Sequence, residues 1–163
     1  MKKKEKGFTI IELIATIMIL AAVMLIAIPA ASNYVANSRK KGYISTAKSY
    51  IKSVRNHASA YKYRFDDEEA IYYLPIKCIA MEKKTPSPYG KWVEAYVVVV
   101  SDGTSPEYYW TSFDERGYGM ELTQEKDIAT TSVITQKKSI DTTKAIEGRA
   151  KIIMMDEDTC KFE

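Results

Sequence analysis

No charged side chain occurs between residues 13 and 38, and the run is almost entirely aliphatic. About 26 residues make ~39 Å of α-helix at ~1.5 Å per residue, enough to cross a bilayer of ~30 Å. A soluble head with that much apolar surface on one helix would have to bury it on all sides. The remaining chain is mixed in character throughout, so the hydrophobicity is concentrated at one end, as in an anchored protein. With 163 residues in all, the chain beyond the run has room for one domain.

The run is preceded by Met-Lys-Lys-Lys-Glu-Lys-Gly. Lys2, Lys3, Lys4 and Lys6 against Glu5 account for the whole formal net charge of +3, and the rest of the chain is neutral. The global pI is therefore weak support for a nucleic-acid partner. A basic stretch followed by an apolar one also describes a secretory signal. Here the leader is very short and ends in Gly7, the apolar run is a full span, and a lone carboxylate, Glu12, stands at its start. A carboxylate at membrane depth costs ~2.5–3.5 kcal/mol and is usually functional.

The string Lys6-Gly7-Phe8-Thr9-Ile10-Ile11-Glu12-Leu13 resembles the type IV prepilin family over roughly residues 4–31. The resemblance implies a dedicated prepilin peptidase that cuts after Gly7 and N-methylates the new N-terminal Phe8. It implies that the apolar run is kept as the filament core, and that Glu12 sets axial register against the amine of a neighbouring subunit. Pro29 stands where the family often has a helix-bending proline. The residues agree with this: Glu12 is one helical turn from Phe8, so its carboxylate and a free amine there would share a face. An interfacial, solvated Glu12 is the ordinary alternative. The leader lysines favour a cytoplasmic N-terminus and a head outside, whereas Arg39, Lys40 and Lys41 beyond the run argue the other way.

The expected organisation is a cleaved leader at 1–7, a transmembrane and filament-core helix at 8–36, an amphipathic continuation at 37–65, and a globular head at 66–163. The continuation rests on Ile44, Ala47, Ile51, Val54, Ala58, Tyr61 and Phe65, spaced alternately three and four apart, the face on which a head would pack. Gly42 suggests a local bend. In the head, 71–79 reads as irregular structure or an edge strand because of Pro75, and 85–90 as a loop. Strands are expected at 92–100, 107–113 and 118–122, with turns at Asp102-Gly103 and Asp114 to Gly117. A candidate strand at 131–135 and a last one at 150–155 complete an antiparallel sheet. The fold class is thus α+β, a long N-terminal helix packed on an antiparallel sheet, of the type IV pilin kind.

Cys78 and Cys160 either pair, which an exported head permits, or remain two buried thiols. Lys48, Lys52, Arg55 and Lys62 form a basic stripe beside the apolar one. It is a solvated helix edge or a contact for acidic residues of a neighbour or for DNA phosphates. No phosphate loop, nucleophile elbow or metal-spaced histidine pair is present, so no catalytic residue, cofactor or metal is assigned. His57 reads as structural. The acidic runs at 66–69 and 156–158 lack the spacing of an EF-hand loop and read as solvated turns. The chain's 12 tyrosines imply either a half-buried aromatic sheet or an interface.

The resemblance implies a non-enzymatic pilin subunit that polymerises into a type IV pilus for adhesion, motility or aggregation. The alternative is a pseudopilin of a type II secretion or DNA-uptake machine. The implied partners are other pilin subunits, the prepilin peptidase, the pilus assembly platform and, before assembly, membrane lipid. The implied location is a single-pass cytoplasmic membrane protein with an extracytoplasmic head, then an extracellular filament. A membrane-anchored enzyme is the competing class, but a plain anchor has no use for a buried acid.

Overall fold

The computed structural model describes residues 7–60, 63–65, 69–102, 105–133, 140, 146 and 151–162. The leader up to Lys6, Tyr61 and Lys62 of the two stripes, the acidic residues 66–68, Gly103 and the end of the candidate strand at 134–135 lie outside the described residues. The chain divides into two compact units, Met1–Ser38 and Arg39–Glu163.

One helix, α1 (Ile10–Ser59), contributes to both units. In the first unit every described residue is exposed. Two of its hydroxyl side chains bond to the helix's own carbonyls: Thr16 Oγ1 donates to Leu13 O at 2.8 Å and Ser32 Oγ to Ile28 O at 3.0 Å. Those two donors are thereby satisfied locally. Pro29 lies inside α1 without ending it.

In the second unit α1 buries Tyr43, Thr46, Ala47, Tyr50, Ile51 and Val54, the three-and-four spacing of one helical face. The helix stops at Ser59, short of the expected 65. Phe65 still reaches the core, but from the connection, packing on Tyr72 and Phe162 at ring distances of 5.0 and 6.2 Å. Gly42 marks a close approach. A Cβ there would lie 3.3 Å from Pro88 Cγ, so the loop at 85–90 rests on the helix at that point.

The sheet contains β1 (Ala70–Pro75), β2 (Trp92–Val100), β3 (Glu107–Asp114), β4 (Gly119–Gln124) and β5 (Lys151–Met154), in the order β4-β3-β2-β1-β5. β1 to β4 pair antiparallel as expected, but β5 runs parallel to β1. The sheet is therefore mixed. The connection after β4 is long enough to carry the chain back before β5 forms, which a short hairpin could not do. β1 is also not an edge strand. It lies between β2 and β5 and is buried throughout. Pro75 is tolerated because it is the strand's last residue. Residues 130–132 form a 3₁₀ turn rather than the start of a strand.

Both faces of the sheet are covered. Tyr72, Leu74, Val97, Val99, Trp110 and Met120 meet the helix, while Ile71, Tyr73, Tyr96 and Val98 form a second cluster with Tyr109, Leu122, Ile140, Ile146 and Ile152. Adjacent tyrosines point to opposite faces, yet Tyr72 and Tyr73 are both buried. The expectation of one aromatic face in water fails for that reason. A register shift in the β3–β4 pairing, between Trp110 and Ser112, is what lets Met120 and Leu122 serve different clusters although they are two residues apart.

Cys78, in the turn after β1, and Cys160 are joined in a disulfide with Cα atoms 5.2 Å apart and a separation of 82 in sequence. The C-terminal segment folds back on itself through a Met155–Phe162 bridge. The Met155 amide also donates to Tyr73 O at 2.9 Å. The cross-link thus fastens the tail beside β1.

Candidate functional site: the N-terminal motif and the basic helix edge

Gly7 and Phe8 precede the first helical turn, and both are exposed, Phe8 by 82%. A Cβ added at Gly7 would meet nothing within 4 Å. This contrasts with Gly119, where a Cβ would come 2.7 Å from Ser112 O. Among the described residues nothing crowds position 7.

Glu12 is engaged by Thr9, not by the backbone at Phe8. Its Oε2 accepts from the Thr9 amide at 2.9 Å and from Thr9 Oγ1 at 2.7 Å, while the Glu12 amide donates to Thr9 Oγ1 at 3.3 Å. This is a reciprocal capping box that satisfies amides at the start of α1. The carboxylate also lies at the positive end of the helix dipole. Thr9 is the Glu12 partner that sequence reasoning misses. Its signal is present, as Thr-x-x-Glu directly before an apolar run.

Of the basic stripe, Lys48 and Lys52 are exposed and form no ion pair among the described residues. Arg55 does not share that freedom. Its guanidinium pairs with Glu125 and lies 4.7 Å over the Tyr108 ring. Burial raises the Tyr108 phenol's pKa, and Arg55 opposes the shift. The structure therefore splits the stripe into an open pair of lysines and an arginine that fastens α1 to the sheet. His57 Nδ1 donates to Ser53 O at 2.8 Å, and its ring lies 5.8 Å from Tyr63, a packing role.

The acids at 156–158 form a turn. Asp156 Oδ1 accepts from the Asp158 amide at 3.1 Å and the Thr159 amide at 2.6 Å. Those bonds, Thr159's first, hold the carboxyl below its ordinary pKa. Glu157 reaches across the disulfide to Lys77 at 2.5 Å. Asp114 is fully buried and accepts from Ser87 Oγ at 2.6 Å and from the Arg116 and Tyr118 amides at 3.0 and 3.1 Å. Among the described residues, no three His, Cys, Asp or Glu side chains gather as metal ligands would.

Compared with known proteins, the chain matches the family model described as the prokaryotic N-terminal methylation motif over residues 2–28. No curated protein and no solved structure gives a match. The match covers the basic leader, Gly7, Phe8, the Thr9–Glu12 capping box and the apolar half of α1 as far as Ile28, ending just before Pro29. It stops before the head.

Proposed function

The chain carries the type IV prepilin signature, and from that premise we propose that it is a pilin whose processed N-terminal helix polymerises into a type IV pilus. The signature supports a pilin- or pseudopilin-like protein and points to a structural subunit rather than an enzyme. One helix is long and apolar enough to cross a membrane, which fits a single-pass anchored chain. The observation that carries the reading is the pairing of that motif with an apolar half-helix whose described residues are all exposed. A surface that size is stable only in lipid or against other apolar helices.

In the proposed order of events, a prepilin peptidase cleaves after Gly7 and methylates Phe8. Cleavage turns the Phe8 peptide nitrogen into an amine close to Glu12. The Glu12 carboxylate can then exchange Thr9 for an amine of its own or a neighbouring subunit. In lipid such an exchange is favoured, because an ammonium–carboxylate pair removes a net charge from low dielectric. Pro29 leaves one backbone carbonyl without its helical donor, which makes the middle of the apolar half the weakest part of its ladder.

Intact-mass and N-terminal analysis of membrane-extracted protein tests the processing step. The expected product begins at methylated Phe8. A chain that retains residues 1–7 in a host with active prepilin peptidase overturns the proposal. Sheared surface filaments that react with antibody to the head are expected of a pilus subunit, and their absence from cells with processed protein would assign it to a periplasmic or cell-wall pseudopilus instead.

A further inference from the structure

Arg39, Lys40 and Lys41 stand on the side of the apolar segment where the charge rule for topology least expects them. Among the described residues they form no ion pair. They also do not stand alone. Pro88 packs on Gly42, Tyr89 lies 6.3 Å from Tyr43 and stacks on Tyr118 at 3.7 Å, and the Glu115 amide donates to Lys91 O at 3.0 Å. Arg39 is close enough to Tyr89 to act electrostatically on its phenol. These contacts gather the 85–91 loop and the β3–β4 turn at the end of the head where its part of α1 begins.

Lys91 and Arg116 are exposed at that end and are likewise without an ion pair among the described residues. Asp114 is buried there and already occupied by Ser87 and two turn amides. Glu115 is the exposed acid beside them. Arg39 directly follows Ser38, the last residue of the uncharged run. On a continuous helix the triplet therefore lies within about one turn of where an inserted segment leaves hydrocarbon.

We propose that this end of the head, formed by Arg39, Lys40, Lys41, Lys91 and Arg116, docks on anionic phospholipid headgroups while the subunit is still in the membrane. The inference rests on the reading that residues 8–36 span a bilayer with the head outside. Cations within a Debye length of an anionic leaflet are attracted to it, and the attraction is screened by salt. Leaving the membrane for a filament exchanges these contacts for protein ones.

Lysine footprinting by mass spectrometry of the full-length protein in lipid nanodiscs tests this. In discs containing phosphatidylglycerol, Lys40, Lys41 and Lys91 should acylate about fivefold more slowly than in pure phosphatidylcholine discs. Lys126 and Lys161 should react equally in both. The difference should vanish at ~1 M salt, where the Debye length is ~3 Å. Equal rates for Lys40, Lys41 and Lys91 in both discs overturn the inference alone. The same protection produced by inorganic phosphate in phosphatidylcholine discs overturns the lipid assignment. A chain that enters neither disc overturns the membrane reading, and this inference with it.

Discussion

Leu20 and Ile51 are aliphatic residues of one helix, yet Leu20 is 56% exposed and Ile51 is 0% exposed. The difference holds for whole stretches. Up to Arg39 every described residue of α1 is exposed, and from Tyr43 to Val54 one face is sealed against the sheet. The later half is amphipathic, so a single partner layer satisfies it. The earlier half is apolar all round, so no single layer can, and its partner must surround it. One half completes a fold within the chain. The other leaves its apolar surface uncovered among the described residues.

The sharpest way to break this comparison is to remove bulk from each half. Trp110 is fully buried, stacked on Tyr50 at 5.7 Å and edge-on to Trp92 at 5.8 Å. Trp110→Ala should destabilise the head by about 3–5 kcal/mol, read by thermal melting in detergent micelles. Leu20→Ala should leave that melt unchanged. A comparable loss from Leu20→Ala would mean that the apolar half also belongs to the head's cooperative unit.

Reduction of Cys78–Cys160 comes next. It frees the tail carrying Phe162, which packs on Tyr72 at 5.3 Å, and should cost about 2–5 kcal/mol. The melt with and without reductant measures it, and the apolar half should keep its helicity throughout. An unchanged midpoint would show that the tail is held by packing alone.

Alkaline pH should also act on the head only. Burial raises the phenol pKa of Tyr43, Tyr50, Tyr89, Tyr96 and Tyr108 above the ordinary value of 10.0. In the unfolded chain these phenols ionise first, so above that pH the folded head binds more protons than the unfolded one. Their contribution is complete below pH 10 and is lost as pH rises toward the folded values. Melts should be flat through neutral pH and fall steeply above 10. A midpoint that holds well above pH 10 would show that these phenols ionise without unfolding.

Two smaller effects separate the ends of α1. Thr9→Ala removes the capping box and should weaken the first turn by about 1 kcal/mol, seen as faster amide exchange at the start of α1 with no change in the head's melt. Arg55→Met should lower the head's stability by about 0.5–1 kcal/mol through the lost Glu125 pair and Tyr108 contact. Lys48→Met, which removes a charge without such partners, should have no measurable effect. Equal effects at the two positions would erase the distinction between the open lysines and the fastening arginine.

Local chemistry explains what could be read in the chain. The uncharged run from residue 13 gives the candidate span, and the basic leader, Gly7-Phe8 and Glu12 lie within the methylation-motif match, because both signals are carried by contiguous sequence. The helical face through Ala47, Ile51 and Val54 follows from periodicity, and the strands expected at 92–100 and 107–113 from their valine and aromatic content between turn signals. Whether Cys78 and Cys160 pair, that Pro75 ends an interior strand, that β5 runs parallel to β1, and that the tyrosines on both faces are covered were decided only by the tertiary structure. Each depends on which distant segment arrives beside a strand, and a strand's own pattern says which face is apolar but not what comes to cover it. Arg55 makes the same point on a single side chain: its place in the stripe was set by helical spacing, and its role by Glu125 arriving from the far end of the sheet.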